Sequence, residues 1–340
     1  MKNGKLRGYV RWTARLGRSL FLPILSFIIC HLSFSVADAQ SLTFVELNCE
    51  NLFDYTHDEG KHDTEYLPES TRHWTRKRYW QKLNNTAQEL LSCCDDGIPD
   101  LVALCEVEND SVLRDLTWRS LLRHAGYEYL MTSSPDQRGI DVALLYAPTS
   151  FAPIRHASIR ITPVEGMRPT RDILYVCGKT VAGDTLHVFV VHMPSRFGGK
   201  RYSRPFRQAV ADRLCQSVDS VYAVSPQASL LVAGDFNDGA DSPVLQQIYQ
   251  HGLLNVTKDA TCADGVSGTY RYKGQWEYID HVLASPSLYN KVEHTAIHSP
   301  RFLLEPENDY GGYRPRRTYS GMRYQPGYSD HLPLVVHLRF

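Results

Sequence analysis

Short apolar runs alternate along this chain with charged and turn-forming stretches. Leu42 to Leu47, Leu101 to Cys105, Tyr127 to Met131, Val142 to Tyr146 and Ile173 to Cys177 have strand length, as do Leu186 to Val191, Leu230 to Ala233, Tyr278 to Leu283 and Leu332 to Leu338. Many of these runs are unbroken, as strands buried on both faces require. Helical periodicity appears between them. Trp80, Leu83, Ala87, Leu90 and Leu91 make one apolar stripe, and Val112 to Leu122 suggests a second helix. Phe206, Val210, Leu214, Val218 and Val221 keep near four-residue spacing and mark a third. Ser203 is placed to cap that helix, and Pro205 suits its first turn.

Two segments fit no regular element. His57 to Trp74 is charged. Glu305 to Tyr328 carries Tyr310, Tyr313, Tyr319, Tyr324 and Tyr328 with Arg314, Arg316, Arg317 and Arg323. Structureless loops of that length in compact domains are functional or disordered. The rings and guanidiniums here suggest contact with a substrate, with Arg317 and Tyr319 as candidates. Strands with interleaved helices and no internal repeat predict one α/β domain over residues 40–340, built from two packed sheets with helices outside.

The first 39 residues read as a secretory signal. Lys2, Lys5, Arg7, Arg11, Arg15 and Arg18 form a basic region, Leu20 to Leu32 is mostly apolar, and Ala37-Asp38-Ala39 offers a cleavage site. The apolar stretch is short and broken by Pro23, so no stable membrane anchor is expected. Ile29 before Cys30 argues against a lipoprotein. The expected location is periplasmic or extracellular, and the expected state a monomer.

Charge changes with that reading. The full chain has 37 basic and 37 acidic residues; without residues 1–39 it keeps 31 and 36, a net of −5. That is not the strongly basic balance of a protein that grips nucleic acid through phosphates alone. Seven cysteines follow Cys30, with no C-x-x-C pair, which points away from zinc. Cys49 and Cys105 lie in strand-like runs and read as small buried hydrophobes. Export permits disulfides, but the odd count leaves at least one thiol free, and no pairing is assigned.

Polar residues cluster at strand ends. Asn48 and Glu50 follow the first run, Glu106 the second, and His192 the run ending at Val191. Asp235 and Asn237 follow Ala233; Asp280 lies within the run from Tyr278, and Asp330-His331 leads into the last run. Ligand sites in α/β folds gather at strand ends. Carboxylates, amides and imidazoles there suit a hard divalent cation and a phosphate ester.

Asn48, Glu106, His192, Gly234-Asp235-Phe236-Asn237, Ile279-Asp280-His281 and Ser329-Asp330-His331-Leu332-Pro333 stand in one order across nearly all of residues 40–340. In this the chain resembles the endonuclease/exonuclease/phosphatase superfamily, which includes DNase I-like nucleases, sphingomyelinases and inositol polyphosphate 5-phosphatases. The resemblance implies a four-layer α/β sandwich of two mixed β-sheets and a Mg²⁺- or Mn²⁺-dependent phosphoesterase, with Ca²⁺ left open. It implies Glu106 as principal metal carboxylate with Asn48 beside it, and Asp330 and Glu50 as further acidic ligands. Asp235 would orient or deprotonate water, and Asn237 would position that water or a phosphate oxygen. His331 would face the scissile phosphate, oriented by Asp280, with His192 near the leaving group. Arg138 falls in a segment resembling one that lines the family's cleft. Arg196, Arg201 and Arg207 flank His192 and are candidates for substrate phosphates.

The leading expectation is an exported endonuclease acting on DNA or RNA. The alternative is a phosphoesterase for a phospholipid or a sugar or inositol phosphate. A non-catalytic binding module on the same fold is a third reading, disfavoured because Glu106, Asp235, Asn237, Asp280 and His331 are all present.

Overall fold

The computed structural model describes residues 40–340. The signal-like segment 1–39 lies outside the described residues. The chain begins with β1 (Ser41–Leu52), β2 (Leu101–Val107), β3 (Glu128–Met131) and β4 (Asp141–Tyr146). β5 (Phe151–Ile159), β6 (Ile173–Thr180), β7 (Thr185–His192), β8 (Ser229–Asp235) and β9 (Leu254–Asn255) follow. A hairpin of β10 (Tyr270–Tyr272) and β11 (Gln275–Glu277) precedes β12 (Asp280–Ala284) and β13 (Val292–Ile297). Two more hairpins, β14 (Leu304–Pro306) with β15 (Tyr313–Pro315) and β16 (Tyr319–Ser320) with β17 (Arg323–Tyr324), lead to β18 (Leu334–Arg339).

These strands build two six-stranded mixed sheets, ordered β13-β18-β1-β2-β4-β3 and β5-β6-β7-β8-β12-β9. Alternation sorts each strand's side chains into two cores. Phe44, Ala103, Val188, Ala233, Val282 and Val336 meet between the sheets. Val45 and Leu47 of β1 face the other way, onto α1 (Arg76–Leu91) and α2 (Asp110–Trp118) through Leu83, Ala87, Leu113 and Leu116. Phe189 and Val232 pack on α3 (Lys200–Val224) and α4 (Pro243–Gln250) through Val210, Leu214 and Ile248. Central strands are thus apolar on both faces, as expected of a four-layer sandwich. Among the described residues all seven cysteines are free, and no helix is long and apolar enough to cross a membrane.

The structure adds strands that the hydrophobic pattern hid. β5 and β13 are edge strands with exposed polar positions. Pro153 adds to the disguise of β5; it sits at a register shift on the edge, where its missing N–H breaks no ladder. α3 starts earlier than expected. Its cap is Gly199, and Ser203 lies inside, its hydroxyl donating to the Gly199 carbonyl. The Val112 to Leu122 pattern divides into α2 and a 3₁₀ turn at Leu121–His124.

The segment Glu305 to Tyr328 is not a free loop but two hairpins, the first tied to β10 by the Arg271–Glu307 pair at 2.6 Å and the second docked on Arg72 and α1. The Arg72 guanidinium covers the Tyr319 ring at 4.8 Å and that of Arg78 covers Tyr324 at 4.2 Å. Tyr319 is buried and donates its hydroxyl to the Arg72 carbonyl. Lys82 Nζ, fully buried, donates to Thr318 Oγ1 at 3.0 Å and to the Tyr328 carbonyl. Tyr319, Tyr324 and Tyr328 are therefore used to hold this segment in place, while Tyr310 stays exposed.

Candidate active site

One row of residues crosses three neighbouring strands. β7 and β8 run parallel with His192 opposite Asp235. β8 and β12 run antiparallel with Asp235 opposite Asp280. The first sheet delivers its ligands through an irregularity. Register shifts between Asn48 and Leu52 on β1 and between Cys105 and Val107 on β2, and Glu106 takes φ 62°. A bulge of this kind re-aims a side chain out of the pleat, and Glu106 comes to line a cleft of about 1100 Å³ with Asn48, His192, Asp235, Asn237 and His331.

Asp235 is held by three donors. Its Oδ1 accepts the Asn237 backbone N–H at 2.7 Å; its Oδ2 accepts Asn237 Nδ2 at 3.0 Å and Asn48 Nδ2 at 3.1 Å. Burial, then repulsion from Asp280, raises its pKa to about 7 against those bonds. Asn237 also donates to the Met193 carbonyl at 3.1 Å, so both amide hydrogens serve the protein. Its Nδ2 is thus committed to Asp235 and Met193 rather than to the phosphate oxygen that the sequence suggests.

His331 Nδ1 lies 2.8 Å from Asp280 Oδ2, which also accepts the Thr269 hydroxyl. A carboxylate only accepts, so the hydrogen is on Nδ1 and Nε2 is left for substrate. Burial alone would lower His331, but Asp280, Asp330 and Asp235 outweigh it and raise the imidazole well above its ordinary range. His192 goes the opposite way. Burial, then Arg171 and Arg138, hold it well below the usual value, so it is neutral. Its Nε2 stands 3.6 Å from Asp235 Oδ2 and 3.9 Å from Glu106 Oε1.

Glu106 supplies the oxygen chemistry a hard cation needs. Its Oε2 accepts the Asn51 N–H at 2.8 Å. Its Oε1 makes no hydrogen bond, with Arg138 Nη1 3.6 Å away. Asp330 and the Asn48 side chain line the same cleft. Asp235, Asp280 and His331 also set ligand atoms within 4.8 Å of one another, close enough to hold a metal. The His331–Asp280 bond already described makes that trio better suited to moving protons.

Several sequence candidates lie elsewhere. Glu50 does not line the cleft; Thr318 N–H donates to it at 2.7 Å and Lys82 Nζ lies 3.6 Å off. Arg207 is fully buried, paired to Asp238 at 3.1 Å and donating to Ser203 at 2.9 Å. Arg201 is exposed on α3 and does not line the cleft. Arg317 sits 4.0 Å from Asp330, behind the lining residues, and Tyr319 is packed on Arg72. Arg138 and Arg196 do line it. Arg196 grips Glu277 through Nη1 at 2.8 and 2.9 Å and donates Nε to the Asn237 carbonyl at 2.8 Å. Sequence reasoning missed Arg168 and Arg171, which line the cleft after a loop without apolar periodicity, and Tyr270, whose ring lies 4.9 Å from that of His331.

Residues 43–340 match the model of the Endonuclease/Exonuclease/phosphatase family. Solved structures share the fold. An endonuclease/exonuclease/phosphatase family protein from Bacteroides thetaiotaomicron is 17% identical with a TM-score of 0.61, over 89% of this chain and 99% of that one. A mannosyl-6-phosphatase of the same organism is 18% identical at 0.60, over 88% and 100%. A truncated Caenorhabditis elegans TDP2 is 17% identical at 0.56, over 88% and 98%. No curated protein matches the chain. With the match covering nearly all described residues, the chain belongs to the endonuclease/exonuclease/phosphatase family.

Proposed function

We propose that this protein is an exported, monomeric, divalent-metal-dependent phosphoesterase whose substrate is a small phosphate ester. The observation that carries the chemistry is a carboxylate and an imidazole placed in one cleft, each fixed by its own hydrogen bonds. Asp235, at about 7, is poised to accept a proton from water near neutrality. His331, raised well above its ordinary range and held by Asp280, is charged and can donate from Nε2 to a phosphoryl oxygen. The water oxygen bonds phosphorus, Asp235 takes the water proton, the ester P–O bond breaks, and the departing alcohol takes the proton of His331 Nε2, leaving Asp235 protonated and His331 neutral.

Glu106, with Asn48 and Asp330, would hold Mg²⁺ or Mn²⁺. Bound there, the ion offsets phosphate charge and polarises the phosphoryl oxygen. Glu106 suits this because Oε1 faces the cleft without a hydrogen-bond donor of its own.

The polynucleotide reading keeps one support, the cationic Arg138, Arg168, Arg171, Arg196 and Lys200 of the cleft. It loses another, because Tyr319, Tyr324 and Tyr328 are engaged inside the protein. A solved structure of the same fold carries the name of a small-ester enzyme, a mannosyl-6-phosphatase. The test is turnover of hexose 6-phosphate, bis-p-nitrophenyl phosphate, plasmid DNA and RNA, with Mg²⁺ or with chelator, beside His331→Ala. Metal-dependent release of phosphate or alcohol from the small esters, lost in the variant, supports the proposal. Cleavage of DNA or RNA without small-ester turnover transfers the assignment to the nuclease, and no turnover of any ester overturns both.

A further inference from the structure

Three aromatic rings at the cleft mouth are left in water. Phe197 is 81% exposed, Tyr202 59% and Tyr272 55%. All three line the same cleft as His331. Exposed aromatic surface concentrated at a groove marks a ligand contact rather than a packing accident.

The hairpin β10–β11 sets one of these rings at a defined distance from the chemistry. Tyr270 lies against His331, ring centroids 4.9 Å apart. Arg271 turns to the opposite face, where its Nε donates to Glu307 at 2.6 Å. Alternation then returns Tyr272 to the cleft side, about 7 Å farther out. Lys273 and Gly274 form the turn with φ 49° and 79°, the conformation of a two-residue hairpin that matches strand twist. Lys273 Nζ stands 5.3 Å from the Tyr272 ring centre, so one ring face is backed by a cation. His331, Tyr270 and Tyr272 make a ladder leading outward from the phosphate position.

Phe197 is fixed just as firmly. Arg196 before it is tied to Glu277 of β11 and to Asn237 beside Asp235. Gly198 and Gly199 after it take φ 79° and 105° and close the turn by a Gly199 N–H to Arg196 carbonyl bond of 2.9 Å. A Cβ at Gly198 would lie 2.8 Å from Tyr202 Cδ1, so Tyr202 packs directly under the turn. Polar groups stand among these rings. Lys200 Nζ is 3.6 Å from Glu277, and both line the cleft.

We propose that Tyr272 and Phe197 form the leaving-group subsite, and that it takes a polyhydroxylated six-membered ring carrying its phosphate on an adjoining carbon. Resting on the phosphoesterase reading above, this subsite names the alcohol side of the ester. Flat C–H faces of such a ring stack on aromatic side chains, while Glu277 and Lys200 suit vicinal hydroxyls. Tyr272 and Phe197 act as binding residues for the ring and touch no reacting atom.

The test uses the full chain and four probes with Mg²⁺: hexose 6-phosphate, glycerol 3-phosphate, a nucleoside 5′-monophosphate and plasmid DNA. The expected result is a kcat/KM at least about tenfold higher for hexose 6-phosphate than for glycerol 3-phosphate. Tyr272→Ala and Phe197→Ala should each cut that ratio severalfold through KM, and Tyr272→Phe should keep it. Both rings are mostly exposed, so truncation removes little core, and a thermal melt checks this. Equal kcat/KM for the two small esters, or a ratio unmoved by both Ala variants, overturns the subsite while leaving the phosphoesterase intact. A preference for the nucleotide or for DNA overturns the polyol assignment. No turnover of any probe overturns the phosphoesterase reading, and the subsite falls with it.

Discussion

His331 Nδ1 and Asp280 Oδ2 meet at 2.8 Å from positions 51 residues apart, one ahead of the last strand and the other at the start of β12. The pair sets both the tautomer and the charge of the imidazole. Asp280→Asn keeps the shape and removes the acceptor. It should lower kcat on a phosphate ester by roughly 10² to 10⁴ with a smaller change in KM. Steady-state kinetics on folded variant checks this; wild-type kcat would remove His331 from the mechanism.

Metal should stabilise the fold through Glu106. Mg²⁺ or Mn²⁺ titrated against the wild type should raise Tm by a few degrees, since a ligand bound only by the native state shifts unfolding by mass action. Glu106→Gln should abolish that rise. Glu50→Gln should retain it from a lower starting Tm, because Glu50 answers buried Lys82 and not the cleft.

Gly234 cannot be replaced. It takes φ 144°, and a Cβ there would lie 1.8 Å from the Val191 carbonyl oxygen in the parallel neighbour strand. Gly234→Ala must therefore part β7 from β8 or abandon its conformation. A cost above about 4 kcal/mol is expected, seen as insoluble or unfolded protein by circular dichroism.

Glu89 should make stability fall with rising pH. It is buried on α1 with both carboxylate oxygens unpartnered, and burial raises it from 4.5 to about 8. Between those values the folded chain keeps a proton that the unfolded chain has lost. Its contribution is full below about 4.5 and declines as pH rises through about 8. Glu89→Gln should flatten this decline, worth on the order of 4 kcal/mol, in melts taken from about pH 5 to about pH 9. An unchanged pH profile would contradict the assignment.

Arg207 was a reasonable phosphate ligand by sequence and is a strut by structure. Arg207→Met leaves Asp238 without its buried partner and should cost about 3 kcal/mol, with KM for a phosphate ester within about twofold of wild type. A large KM increase at unchanged Tm would return it to the substrate.

What the chain made legible follows from burial. Strands apolar on both faces, such as Leu230 to Ala233, announce themselves, and so do polar residues at their ends, such as Asp235 and Asn237. β5 and β13 were hidden because edge strands mix exposed polar residues with apolar ones. Which arginine reaches the cleft was not readable at all. Arg196, Arg201 and Arg207 lie within twelve residues, yet one lines the cleft, one faces solvent and one is buried. The difference is set by the Gly198-Gly199 turn and by Asp238, which are tertiary facts. Tyrosines posed the same problem. Tyr319 and Tyr272 look alike in sequence, but only Tyr319 had Arg72 waiting to cover it.

The row His192, Asp235, Asp280 lies on three hydrogen-bonded strands, and this makes the spacing of the reaction centre a counted quantity. Neighbouring strands stand about 4.8 Å apart, and slipping one by a single residue turns every side chain to its opposite face. The distance from the proton acceptor Asp235 to Asp280, the carboxylate that holds His331, therefore cannot drift by degrees; it is kept or it is lost. No such arithmetic governs the mouth, where one turn and one hairpin carry Phe197 and Tyr272. Descendants of this chain can exchange those rings and change what they accept while the bond they break stays the same.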